Sequence, residues 1–153
     1  MLSGRLVRLI EDHAEQITND LICDLKVNPR TASYHGLADS EIHRRVFNVY
    51  RNLGEWLSGE AETTVEAHYF ALGKNRALEG VPLSQVLYAL VLTKSQLFNY
   101  IRRTVLLESA IDLYQLHELR DLTDDFFDYA VYQVARGYEH AQALNYAQSA
   151  TAS

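Results

Sequence analysis

From Leu83 to Arg136 the chain contains neither glycine nor proline. No run of strict alternation with β-branched residues and turn pairs appears in it or elsewhere in the chain, so strands are not expected and helices are. With no breaker residue to mark a boundary inside it, the boundary has to come from a cap. Ser109 with Asp112 supplies a Ser-x-x-Asp capping box. The stretch therefore divides into a fourth helix, opened by Pro82 in its first turn and running to about 106, and a fifth over about 110–144. Ile111, Leu116, Leu119, Phe126, Ala130 and Val134 are predicted to face inward from the fifth.

The remainder follows the same period. Leu2, Leu6, Ile10, His13, Ile17, Leu21 and Leu25 recur at steps of three or four, which predicts a first helix over about 2–27. Asn28 and Pro29 end it, because proline disfavours helix at the residue before it and lacks a backbone N–H. A loop is expected over 28–38. Asp39 or Ser40 then caps a second helix, ending near Gly59, with Ile42, Val46, Val49, Leu53 and Trp56 or Leu57 buried. A third, over about 62–78, carries Val65, Tyr69 and Leu72 and stops before Gly80. The expectation is an all-α single domain of about five helices over 1–147, a helical bundle or a globin-like arrangement, with two long C-terminal helices. A flexible tail is expected over 148–153.

Charge and residue chemistry exclude several functions. A formal charge of -6 repels phosphate on average, so nucleic acid is not expected as a partner. The pairs Arg44–Arg45 and Arg102–Arg103 read as solvated helix faces. The apolar run Val86–Leu92 is far short of a membrane span, and the N-terminal region is interrupted by Arg5, Arg8 and Glu11. The lone Cys23 offers no intramolecular disulfide, which fits a reducing, cytoplasmic compartment.

None of the six histidines has a carboxylate three residues before it on its helix face, and no His-x-x-x-His pair occurs, so no metal site is expected. The acidic group Asp121, Asp124, Asp125 and Asp128 alternates with apolar residues as a solvated helix face does. His13 reads as a hydrogen-bonded core residue. His68, on a helix with a thin apolar face, is the candidate for a cofactor or ligand at a pocket mouth. Nothing in the sequence resembles a phosphate loop or a nucleophile elbow, so no catalytic residue is assigned. The run Val86–Leu92, apolar around its circumference, and the off-stripe residues Leu122, Phe127, Val131 and Tyr138 need cover either within the chain or from a second copy. A homodimer is one expectation.

Two segments are more specific. Pro29-Arg30-Thr31 followed by Tyr34, and Leu72-Gly73-Lys74-Asn75-Arg76-Ala77-Leu78-Glu79-Gly80-Val81-Pro82-Leu83, resemble the N-terminal domain of RsbRD-type RsbT co-antagonists, over roughly residues 5–105. The resemblance implies a non-enzymatic bacterial input domain, without cofactor, in stress-signalling or two-component-type regulators. Related stressosome proteins have globin-like input domains without haem. It also implies a signalling partner or a fused output module, such as an STAS domain or a histidine kinase, neither of which lies in these residues. The fifth helix is then the transmission element of a fragment, or the partner-binding element of a complete chain. The alternative is a globin-like sensor for haem or a small molecule. Arg76, Gly80 and Pro82 carry the motif. Their local reading is a tight corner, with Gly80 at positive φ, Pro82 starting the next helix and Arg76 bonding free carbonyls of the third helix.

Overall fold

The computed structural model describes residues 3–59 and 62–152. Among them the chain forms seven α-helices and one 3-10 helix: α1 Gly4–Asp12, α2 Ala14–Val27, the 3-10 helix Pro29–Tyr34, α3 Asp39–Arg51, α4 Leu53–Leu57, α5 Glu62–Leu78, α6 Leu83–Thr104 and α7 Ala110–Ala152. No strand occurs among the described residues, and the all-α expectation holds. The five-helix count does not, because two expected helices are each broken once and the expected loop contains a helical turn.

The first break is at His13 (φ -112, ψ 22), whose N–H is shared between the carbonyls of Leu9 and Ile10, both at 3.2 Å. The break leaves the apolar phase intact. Leu6, Ile10, Ile17, Leu21 and Leu25 are all buried, and Ala14 takes the inward position expected of His13. His13 itself is exposed; its ring donates from Nδ1 to the Leu9 carbonyl at 2.9 Å and lies beside Tyr100. Leu2 lies outside the described residues.

A second break at Asn52 separates α3 from α4, again without disturbing the stripe: Ile42, Val49, Leu53 and Leu57 remain buried. Neither Asp39 nor Ser40 caps α3. Its N-cap is Ala38, and Asp39 pairs instead with Lys26. Between α2 and α3, Asn28 turns extended and its side chain caps the 3-10 helix by accepting from Arg30 N at 3.0 Å. Thr31, fully buried, donates to the Leu25 carbonyl at 2.8 Å and fastens this turn to the end of α2.

The corner after α5 forms a Schellman cap. Gly80 has φ +78, its N–H donates to the Ala77 carbonyl at 3.1 Å, and Val81 N–H reaches back to Arg76 at 3.0 Å. Pro82 is the N-cap of α6, one position before the helix proper. At the start of α7, Ser109 Oγ accepts from Asp112 N at 3.2 Å, while the Asp112 carboxylate accepts from Glu108 N at 3.1 Å. These bonds and Arg5 hold Asp112 below the usual carboxylate range.

α7, at 43 residues, is roughly 65 Å long at the usual rise per residue. Its first turns expose Ile111, contrary to expectation, together with Leu113 and Tyr114, while Leu119, Phe126, Phe127, Ala130, Val134 and Tyr138 are buried within the chain. The run Val86–Leu92 is likewise covered by the chain itself except at Val91. Past Ala141, the residues through Thr151 are helical and exposed.

Candidate functional site

α3, α5 and α6, with the 3-10 turn, border two adjoining pockets, an outer and an inner chamber, that share four lining residues. The outer chamber, about 510 Å³, is open to solvent and lies between α3 and α5. Beneath it is an inner cavity of about 40 Å³, walled by Leu25, Val46, Val49, Leu72, Val86 and Leu90. Arg45, His68, Leu72 and Arg76 line both chambers and so form the boundary between them.

Periodicity explains the placement. On α5, His68, Leu72 and Arg76 follow one another at steps of four and share a face, which looks across to Glu41 and Arg45 of α3, and Glu79 follows just past the end of the helix. The charges form a chain across the gap: Arg44 to Glu41 at 2.7 Å, Glu41 to Arg45 at 3.1 Å, Arg45 to Glu79 at 3.6 Å, and Glu79 to Arg76 at 2.8 Å. Three guanidinium groups thus face two carboxylates. Arg44 is solvated; Arg45 and Arg76 are not, with side chains 14% and 11% exposed. Arg45 therefore departs from the solvated-face expectation. The sequence did not show this, because Glu79 is brought to it only by the packing of α5 on α3.

Arg76 does not bond the last carbonyls of α5. Among the described residues, the hydrogen bond of its guanidinium goes to Glu79. Its charge, with that of Arg45, acts on the buried Tyr34 hydroxyl, whose pKa burial raises and the two arginines pull back. The two sequence motifs, Pro29–Tyr34 and Leu72–Leu83, therefore meet at the inner cavity. Arg30, in the first of these motifs, donates to Tyr88 Oη of α6 at 2.9 Å.

His68 lies where a pocket opens, beside Trp56 and Tyr69 with ring centroids 5.4 and 4.8 Å away. Partial burial holds its pKa below the ordinary imidazole value. The inner cavity has space for two or three waters and does not fit a haem macrocycle. Next to His68, Tyr69 is 1% exposed, and its hydroxyl has no hydrogen-bond partner among the described residues.

The opposite face of α5 crosses α7. A Cβ built on Gly73 would stand 2.0 Å from the Val134 carbonyl oxygen, and one on Gly137 1.9 Å from that of Phe70. The backbones touch where both side chains are hydrogen atoms. From the residue next to Gly137, Tyr138 Oη donates to the Val81 carbonyl at 2.6 Å, tying α7 to the corner that follows Arg76 and Gly80. Sequence reasoning did not single out the glycine pair. Its only local signal is that a glycine inside a helix costs about 1 kcal/mol relative to alanine and so needs a packing reason.

The other candidate groups stay apart. Asp124 pairs with Lys94 at 2.7 Å, whereas Asp121, Asp125 and Asp128 are exposed. Cys23 is exposed, and Arg103 pairs with Asp20 at 3.1 Å. Among the described residues, no three His, Cys, Asp or Glu side chains converge as a metal site would require, and no helix is long and apolar enough to cross a membrane.

The sequence model of the RsbT co-antagonist protein rsbRD N-terminal domain matches residues 26–152. The chain belongs to this family. The match starts later than residue 5 and takes in all of α7, so the Schellman corner, the glycine crossing and, apart from Leu25, the pocket of this rsbRD N-terminal domain fall inside it. No curated protein and no solved structure matches the chain.

Proposed function

We propose that this rsbRD N-terminal domain is a non-catalytic input module of bacterial stress signalling, in which α5 carries a change at the pocket to α7, and α7 carries it to a partner or a fused output domain. The observation that carries the reading is the reciprocal contact of Gly73 and Gly137, with no side chain between the helices to absorb a displacement. Movement of α5 is therefore passed to α7 as a rigid shift, and Tyr138 adds a second fixed point. Beyond the crossing, Leu144 and Tyr146 remain exposed on α7, available to a signalling partner. A cytoplasmic place of action goes with this reading.

The test is a stress-responsive transcriptional reporter in cells carrying the chain. Leu144→Glu with Tyr146→Glu is expected to abolish the regulated change while leaving circular dichroism and Tm unaltered. A regulated change equal to wild type in that variant would remove α7 as the output.

Self-association is a second reading, favoured by Leu106, Leu107, Ile111 and Tyr114, which are exposed together around the α6–α7 turn. Native mass measurement separates one copy from two, and Ile111→Glu with Tyr114→Glu is expected to give one.

A further inference from the structure

We infer that the two-chamber pocket is a binding site for a short-chain monocarboxylate, with the carboxylate in the outer chamber against Arg45 and Arg76 and the hydrocarbon in the inner cavity. The inference deepens the input-domain reading and rests on it for its consequence, though not for its chemistry.

The charge chain has an excess of one cation, and the two arginines at the boundary are poorly solvated. Buried guanidinium groups are satisfied only by anionic or strongly accepting partners, and each carries five N–H donors in a planar fork suited to a carboxylate. Arg76 spends one bond on Glu79, and the Arg45–Glu79 contact, at 3.6 Å, is loose. An incoming carboxylate thus finds unused donors at Arg76 and competes with Glu79 for Arg45.

The inner wall sets the rest of the ligand. It is apolar except for Tyr34, Tyr69, Thr93 and the boundary residues. Thr93 Oγ1 is already committed, donating to the Ala89 carbonyl at 2.7 Å. The volume of about 40 Å³ accepts a tail of roughly three heavy atoms. A second carboxylate at that end would be buried without a cation, which is prohibitive. Dicarboxylates are therefore excluded by the cavity, and inorganic phosphate leaves it unfilled. The buried Tyr69 hydroxyl offers a donor to a ligand that bears an oxygen along its chain.

Glu79 sits between Arg76 and the Schellman glycine, so drawing it from Arg45 loosens α5 from α3 at the corner that Tyr138 joins to α7. Ligand binding and α7 position are linked through that one carboxylate.

The experiment titrates the full chain with sodium butyrate at constant ionic strength and follows amide shifts by NMR. Butyramide, succinate and sodium phosphate are titrated in parallel. Butyrate is expected to give saturable shifts at the pocket-facing residues of α5 and α6, at concentrations at least tenfold below the other three. Arg76→Gln is expected to weaken butyrate about tenfold or more, the cost of losing a charge-assisted pair. Ala89→Leu keeps both arginines and fills the inner cavity, and it is expected to weaken butyrate equally in a folded protein. Absence of saturable butyrate shifts, equal binding of phosphate or succinate, or unchanged affinity in Ala89→Leu overturns the site. Butyrate binding that leaves the α7 amides unmoved keeps the site and overturns the relay. Absence of binding alongside loss of the reporter response in Leu144→Glu with Tyr146→Glu does the reverse.

Discussion

Gly73 and Gly137 occupy each other's space: a Cβ on either would fall 2.0 Å or less from a carbonyl oxygen of the opposite helix. Packed helices ordinarily run 8–10 Å apart with side chains between them. Here the backbones themselves meet, an arrangement in which Cα–H groups contact carbonyl oxygens directly. Because the obstacle is main chain on both sides, no rotamer change relieves an added methyl.

Gly73→Ala and Gly137→Ala are therefore each expected to destabilise the fold by about 2 kcal/mol. Overpacking costs about 3 kcal/mol at its upper end, and alanine's better helix propensity returns about 1. Once α5 and α7 have parted for one methyl, the second meets less resistance, so the double variant should cost less than the sum. Urea unfolding of the three variants checks both the sign and the shortfall. Fully additive losses would show that the two helices respond independently.

Where a boundary is made by residues whose conformational limits are intrinsic, the sequence revealed it: Asn28-Pro29, Gly80-x-Pro82 and Ser109-x-x-Asp112 all stand where helices end or begin. The breaks at His13 and Asn52 carry no proline, no positive-φ glycine and no side-chain cap, and the buried stripe passes through both in phase, so periodicity has nothing to register. The pocket was legible only in part. The thin apolar face of its helix puts His68 at the mouth, and Tyr34 and Arg76 both lie in the two family-like segments. That they share one cavity with Arg45 and Glu79 depends on how α5 packs on α3, a long-range fact that no local pattern encodes.

Gly80→Ala tests the corner. At φ +78 an L side chain costs roughly 1–2 kcal/mol, and nothing crowds the site within 4 Å, so the loss is conformational and not steric. Gly80→Asn is expected to lose less, because asparagine tolerates this region better than alanine. Gly36→Ala, equally open and without a positive φ, should change stability by no more than about 0.5 kcal/mol. Thermal unfolding of the three variants orders them; an alanine at 80 as benign as one at 36 removes the conformational argument.

His68 gives the fold a pH dependence of defined sign. Burial lowers its pKa in the native state below the ordinary value of 6.5. As pH falls through that value the unfolded chain takes up the proton first, so the stabilising contribution is present above it and is lost as pH falls through the native pKa. Denaturation midpoints from pH 7.5 to 5 are expected to fall more steeply for the wild type than for His68→Gln. Superimposable profiles would show that the ring titrates as it does in the unfolded chain.

Tyr69 and Tyr50 make the last comparison, since the same substitution should act on them with opposite sign. Both are fully buried, and burial pushes both hydroxyls above the ordinary tyrosine pKa. Tyr50 Oη donates to the Thr93 carbonyl at 2.7 Å, whereas Tyr69 Oη has no partner among the described residues. Tyr50→Phe removes a made bond and leaves a buried carbonyl short of a donor, for a loss of about 1 kcal/mol. Tyr69→Phe keeps the ring contacts with Trp56 and Phe126, at 5.8 and 5.7 Å, and removes only a group whose burial was uncompensated, for a gain of about 1 kcal/mol. For a chain of this size, that corresponds to a Tm roughly 3 °C higher. A natural sequence that keeps a hydroxyl at the expense of stability is retaining it for another reason, and the cavity it borders supplies one. If Tyr69→Phe lowers Tm as Tyr50→Phe does, the hydroxyl has a protein partner in solution and is not available to a ligand.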